Sequence, residues 1–178
     1  QVGVHSVFDD VEEFVRHVIA SFAEFAPRDA YLVIKHHPMD RPYTDYTRLI
    51  RRLREQCGLG RRLIYVHDPH LPGLIGGAEG IVTINSTAGL SAIHHGKPTL
   101  ALGEAVYRID GLTASVPLDE FWHRAEEFPV HAELYKSFRR HLIHRTQING
   151  NFYRRLEIPG TLAGIDWTHG SLEAEADS

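Results

Sequence analysis

Four short polar stretches follow runs of apolar, β-rich residues: His36-His37-Pro38, His67-Asp68-Pro69-His70, Asn85-Ser86-Thr87 and Gly103-Glu104. Their side chains are of the kinds that handle phosphate and ribose. In "INSTAGLSA" an apolar run gives way to small hydroxyl residues that open a helical pattern. The first turn of a helix presents unpaired N–H groups and the positive end of its dipole. Ser86 and Thr87 add hydroxyl donors beside Asn85, and Gly89 lets a ligand or a neighbouring backbone come close. Such a junction suffices to hold a phosphate, although Asn85 or Ser86 also serves as an ordinary N-cap.

His37 is the catalytic candidate. Its ring can donate N–H to a phosphate oxygen and carry positive charge as a phosphoester bond breaks. Pro38 restricts the preceding residue to extended geometry and so fixes where His37 points. Adjacent side chains on an extended chain face opposite ways, so only one of His36 and His37 faces a ligand there. A structural turn histidine is the alternative. Glu104 can accept hydrogen bonds from a ribose diol. His67 and Asp68 can frame a base, while Asp68 before Pro69 is equally a turn element.

The elements that must position these groups alternate. Val11, Phe14, Val15, Val18, Ile19 and Phe22 recur at helical spacing after Asp9 and Asp10, and Pro27 ends that helix. "YLVIK" (31–35) reads as a buried strand. Tyr46, Leu49, Ile50 and Leu53 give the next helix, with Gly58 as its stop. "RLIYV" (62–66), "GIVTI" (80–84) and "PTLAL" (98–102) are further strands, separated by a short helix or turn at "LPGLIGGA" and by the helix that runs to Gly96. This order predicts a Rossmann-like α/β domain, a parallel sheet with helices on both faces. Ligands of such sheets bind at the carboxyl ends of the strands, where all four polar stretches fall. Lys97 stands at a strand start, away from them. "DEFWHRAEEF" and "HAELYKSFRRHLIHRTQ" predict C-terminal helices. The domain is expected over 1–153, with an extension over 154–178 that is disordered from about 168, where the sequence turns acidic and rich in small residues.

Composition narrows the function. The chain has 178 residues, 43% of them hydrophobic and 24% charged, with a net charge of −4. That describes a globular domain rather than a nucleic-acid binder. The arginines of 51–54, 61–62 and 139–145 fall in helical or helix-end patterns and read as solvated faces. The lone Cys57 lies on an apolar helix side, where it packs as an inert thiol, and a single cysteine favours a reducing compartment. No apolar run is long enough to span a membrane, and no secretory signal is seen, so a cytoplasmic location is expected. The chain begins at Gln1 without an initiator methionine, which suggests a piece of a longer protein. Thirteen histidines tempt a zinc reading, yet none forms an i, i+4 pair around a Glu, so no metal is expected. The sequence also lacks a P-loop and a G-x-S-x-G elbow, which argues against an ATPase and an α/β-hydrolase.

Taken together, "LVIKHHPMDRPYTDY", "YVHDPHLPGLI", "INSTAGLSAIHHGKPTLALGEAVYRIDGLT" and "RTQINGNFY" resemble the capsular polysaccharide β-Kdo transferases, over roughly 1–153. The resemblance implies the C-terminal, CMP-Kdo-binding half of a retaining GT-B glycosyltransferase that builds the lipid-linked oligo-Kdo linker of capsules. His37-Pro38 and Ser86-Thr87 fall where similar transferases grip the CMP phosphate. It further implies a lipid-linked acceptor and no cofactor beyond the CMP-sugar donor; basic patches leave room for peripheral association with the inner membrane, which nothing in the sequence demands. The N-terminal GT-B domain, with the catalytic carboxylate, is not in this chain. A CDP-glycerol-type polyol phosphotransferase and a non-catalytic nucleotide-binding module of capsule assembly or export are the alternatives.

Overall fold

The computed structural model describes residue 8 and residues 10–36, 45–67 and 69–146. The expected disordered tail and the 153/154 boundary lie outside them. The chain divides into two compact units, Gln1–Ala132 and Glu133–Ser178.

In the first unit helices and strands alternate as α1 (Val11–Phe25), β1 (Leu32–Lys35), α2 (Thr47–Gln56), β2 (Leu63–Val66), α3 (Leu71–Gly77), β3 (Ile81–Thr83), α4 (Thr87–His94), β4 (Thr99–Ala101) and α5 (Leu118–Arg124). Local chemistry sets the boundaries. Asp10 caps α1 by accepting the Glu13 amide at 2.8 Å, a bond that satisfies a donor the helix cannot pair itself. The chain leaves α1 at Ala26, just ahead of Pro27. Gly58 and Gly96 follow α2 and α4 with φ of 63° and 69°, the left-handed region that favours glycine.

The chain is α/β with parallel strands, as expected, but the strands are grouped differently. β1 pairs with β2 and β3 pairs with β4, forming two two-stranded parallel sheets. No ladder joins the two pairs among the described residues. Among the described residues the strands of the expected parallel sheet thus form two pairs.

α1 serves both halves. Val15, Ile19 and Phe22 pack with Ile50, Leu53, Leu59 and Leu63 against Leu32 and Ile34. Val18 packs with Leu100, Ala114, Leu118 and Phe121, against Leu32 and Val82. Burying each such side chain contributes about 1.5–3 kcal/mol. Cys57 packs against the first of these clusters. A polar tie reinforces the second contact. Trp122 Nε1 donates to Ser21 Oγ at 2.8 Å, and Ser21 Oγ donates to Asp119 Oδ1 at 2.5 Å.

Arg62 departs from the solvated face its pattern suggested. Its guanidinium lies 5.0 Å from the Phe22 ring centroid and donates to the Ala30 and Pro27 carbonyls at 3.0 and 2.6 Å. It thereby fixes the turn from α1 into β1. The second unit's described part is α6 (Ala132–Thr146), whose Arg139 and Arg140 are exposed as expected. Among the described residues no helix is long and apolar enough to cross a membrane.

Candidate functional site

The ladders bring the first residues of the four polar stretches together in two pairs. On the first sheet His36 N donates to the Val66 carbonyl at 2.9 Å, which extends the register one step and sets His36 beside His67. On the second, Leu102 N donates to Thr83 O at 2.8 Å and Gly103 N to Ile84 O at 3.0 Å. Asn85-Ser86-Thr87 thus leaves its strand alongside Gly103-Glu104.

At the first pair an aromatic and imidazole cluster closes the strand ends. His36 is buried, and its Nδ1 is hydrogen-bonded to the Tyr65 hydroxyl. The His36 ring stacks on His67 at 5.3 Å and lies 5.9 Å from Tyr46, while Tyr65 meets His67 edge-on at 4.6 Å. His36 is thus turned inward. His37 and Pro38 lie outside the described residues, as does Asp68. His67 itself is exposed. Asp45 sits close by, its carboxyl held below the usual range by hydrogen bonds from Thr47, with a smaller pull from His67. His70 is the N-cap of α3, its Nδ1 accepting the Gly73 amide at 3.3 Å.

At the second pair Ser86 is the N-cap of α4, which decides between the two cap candidates. Its Oγ accepts the Ala88 amide at 3.2 Å, so the hydroxyl proton is left to donate. Thr87 is exposed in the first turn, Asn85 is half-buried and Glu104 is exposed.

Gly89 requires a correction. The space a side chain would take there is filled by Tyr107: an added Cβ would stand 2.6 Å from Tyr107 Cζ and 2.7 Å from Cε2. The Tyr107 hydroxyl donates to the Ser86 carbonyl at 2.5 Å. The room at Gly89 is used by the protein's own ring, which braces the helix start from beneath. Burial pushes the Tyr107 hydroxyl up to about 12, against a smaller opposing effect of Thr83. Tyr107 is the residue sequence reasoning missed. It lies in "GEAVYRID", which has no clear period, and only a helix glycine on a buried face hinted that something bulky sat there.

Elsewhere in the first unit an open depression is lined by Asp110, Thr113, Glu127, Phe128 and His131, about 350 Å³ in volume and apart from the four strand-end loops. Among the described residues no three His, Cys, Asp or Glu side chains gather as a metal set.

Helices alternating with short parallel strands define an α/β protein. Residues 1–153 match the family described as capsule polysaccharide biosynthesis protein, and the chain belongs to that family. It is 46% identical over 153 residues to the capsule polysaccharide export protein KpsS of Escherichia coli, covering 86% of this chain and 39% of that protein. It is also 46% identical over 160 residues to the capsule polysaccharide modification protein LipB of Neisseria meningitidis, in serogroups A and B alike, covering 89% of this chain and 38% of each relative. The chain therefore spans about two-fifths of the length of these relatives. No solved structure matches it.

Proposed function

We propose that this chain is the donor-binding part of a retaining β-Kdo transferase of GT-B architecture, and that it holds CMP-Kdo at the carboxyl ends of its strands. The observation that carries this reading is the β3–α4 junction. Ser86 caps the helix, keeps a hydroxyl proton to give, and stands with the exposed Thr87 on the positive end of α4, beside Glu104. A cytidylate phosphate resting there would meet backbone N–H groups and two hydroxyls. As the bond from phosphate oxygen to the sugar breaks, negative charge builds on the phosphate, and donors already in place stabilise it without reorganising. His37, held by Pro38, supplies a further donor. His67 and Asp68 frame the base, Glu104 takes the ribose, and Asn85 and Gly89 shape the turn, Gly89 by admitting Tyr107.

The remaining length of the protein supplies the acceptor site and the carboxylate that a retaining mechanism needs on the sugar's other face. The acceptor is lipid-linked, so the reaction takes place on the cytoplasmic face of the inner membrane. This chain alone binds donor without turning it over.

Calorimetric titration with CMP is the test. Binding is expected, with His37→Ala and Ser86→Ala each weakening it by about 1–3 kcal/mol, the scale of a charge-assisted hydrogen bond. Unchanged affinity in both variants, with the fold intact by circular dichroism, would remove the assignment. Separate titrations of CMP-Kdo and CDP-glycerol into the full-length protein distinguish a Kdo transferase from a polyol phosphotransferase.

A further inference from the structure

We infer that the outward face of α2 is a docking surface for an anionic lipid membrane, met by the guanidinium groups of Arg48, Arg51, Arg52 and Arg54, with Arg61 just beyond the helix. The choice of a membrane leans on the lipid-linked acceptor proposed above, whereas the charged face does not.

The face follows from the helix period. Ile50 and Leu53 are buried, and Tyr46 and Leu49 pack with them on the core of the first half. Residues three and four apart are neighbours on a helix, so Arg48 stands beside Arg51 and Arg52, and Arg51 beside Arg54, turned from that core. Arg48, Arg51, Arg52 and Arg61 are exposed and Arg54 is half-buried. Six of the chain's 19 basic residues and one of its 23 acids fall between Tyr46 and Arg62, so this stretch is strongly positive on a chain whose net charge is −4. The sixth, Arg62, turns inward to the Ala30 and Pro27 carbonyls.

The other five are not neutralised by their own helix. Elsewhere such residues are: Arg16 pairs with Glu12, Arg124 with Glu120 and Glu127, and Lys136 with Glu133. The acid of α2 is Glu55, and among the described residues it forms no ion pair with its neighbours Arg51 and Arg52. Like charges at these spacings repel. Arg48 also stands in a first turn that has no acid, against the positive end of the helix dipole. Asp45, just ahead of the helix, is held chiefly by Thr47 and only last by Arg48. A face that repels itself in this way is one that an anionic partner stabilises.

The chemistry of the face selects that partner. All five groups are guanidinium, with no lysine among them, and a guanidinium fork binds phosphate oxygens two at a time. A convex helix face cannot enclose a small anion, but it meets a plane of phosphates. Clusters of about four to eight Lys or Arg on an amphipathic helix are the mark of anionic lipid binding. The aromatic residue of the stretch, Tyr46, packs inward, so no ring is offered for nucleic-acid bases to stack on. Asp45 is close enough to feel both Arg48 and His67. A membrane held on this face therefore runs up to the strand-end cluster of His36, Tyr65 and His67, which brings a lipid-linked acceptor to the donor side of the site.

Co-sedimentation of the full-length protein with vesicles, without nucleotide, tests the surface. The parent should bind vesicles of phosphatidylglycerol and phosphatidylcholine in equal parts, release them in high salt, and ignore phosphatidylcholine alone. Joint Arg48→Gln, Arg51→Gln and Arg52→Gln replacement should weaken binding on the order of 100-fold, with circular dichroism unchanged. Arg51→Gln alone should lose about fivefold, which keeps the test open should the triple variant misfold. Arg16→Gln, Arg139→Gln and Arg140→Gln together remove as much positive charge elsewhere and should bind nearly as the parent does. Equal binding by parent and α2 variants, an equal loss in that control, or equal binding to neutral vesicles would overturn the inference. So would retention of the parent on heparin without vesicle binding, which would make the partner a soluble polyanion. CMP titration of the same preparations separates this surface from the nucleotide reading. Vesicle binding without CMP binding keeps the surface and removes the nucleotide site, and CMP binding without vesicle binding does the reverse.

Discussion

The β1–β2 half and the β3–β4 half are built from the same unit, a parallel pair joined by a helix, yet they are buried very differently. Thr99, Leu100 and Ala101 of β4 are all buried. On the other pair one face packs under α1 and α2, while Val33 and Ile64, direct partners across the ladder, are 41% and 40% exposed on the opposite face. Parallel sheets are ordinarily covered on both faces. The second half is complete because residues 107–121 wrap back over it, with Ala114 N bonded to Thr99 O at 2.8 Å and Phe121 in its core. Nothing comparable covers the outer face of the first half among the described residues of this unit. The same pairing geometry therefore yields a two-sided core in one half and a one-sided core in the other.

The sharpest way to break this contrast is to truncate neighbouring residues of β2. Leu63 is 1% exposed and Ile64 is 40% exposed. Leu63→Ala should cost about 3–4 kcal/mol through lost burial and a residual cavity. Ile64→Ala should cost less than about 1 kcal/mol, the scale of a surface change. Urea unfolding followed by far-ultraviolet circular dichroism measures both. Similar costs at the two positions would mean that the outer face is covered in solution.

The second half is tested at its brace. Gly89→Ala adds a methyl group where the buried Tyr107 ring already stands. Overpacking should destabilise by about 3 kcal/mol, more than the roughly 1 kcal/mol that alanine gains in helix propensity. The sign should reverse on a Tyr107→Ala background, where the methyl group meets open space and only the propensity gain remains. Additive costs would show that the two residues do not share that space.

Tyr107 also gives this half a pH dependence. Its hydroxyl titrates at about 12 in the fold against an ordinary 10.0, so folding favours the neutral form. That contribution is whole below pH 10 and is lost as pH rises from 10 towards 12, where the unfolded chain ionises first. Two pH units correspond to about 2.7 kcal/mol. Tyr107→Phe should therefore lose stability less steeply than the parent between pH 10 and 12. Parallel curves in that window would show that the hydroxyl ionises as freely folded as unfolded.

Strand positions were legible because each apolar run ended at a glycine, proline or polar turn, and all four lie within one or two residues of their expected bounds. The α1 cap was legible for the same reason, since Asp10 precedes a clean helical period. Sheet continuity was not, because periodicity within a strand says nothing about which edges find partners. Of the candidate site, the β3–α4 junction could be read from residue types alone. The roles of Tyr107, His36 and Arg62 could not: each acts on a residue distant in sequence, through one hydrogen bond or ring contact that has no local pattern.

The smallest expected effect separates structure from ligand at Ser86. As an N-cap, its hydroxyl is worth about 1 kcal/mol to the fold when replaced by alanine. As a phosphate donor, it adds a loss of CMP affinity that the cap does not explain. Ser86→Asp keeps the cap, since a carboxylate also accepts the Ala88 amide, but sets a negative charge against the phosphate. Ser86→Ala should lose about 1 kcal/mol of stability and part of its CMP affinity, whereas Ser86→Asp should keep the parent's stability and lose CMP binding by more than Ser86→Ala does. If Ser86→Asp binds CMP as the parent does, the phosphate does not rest on α4, and Ser86 is a cap alone.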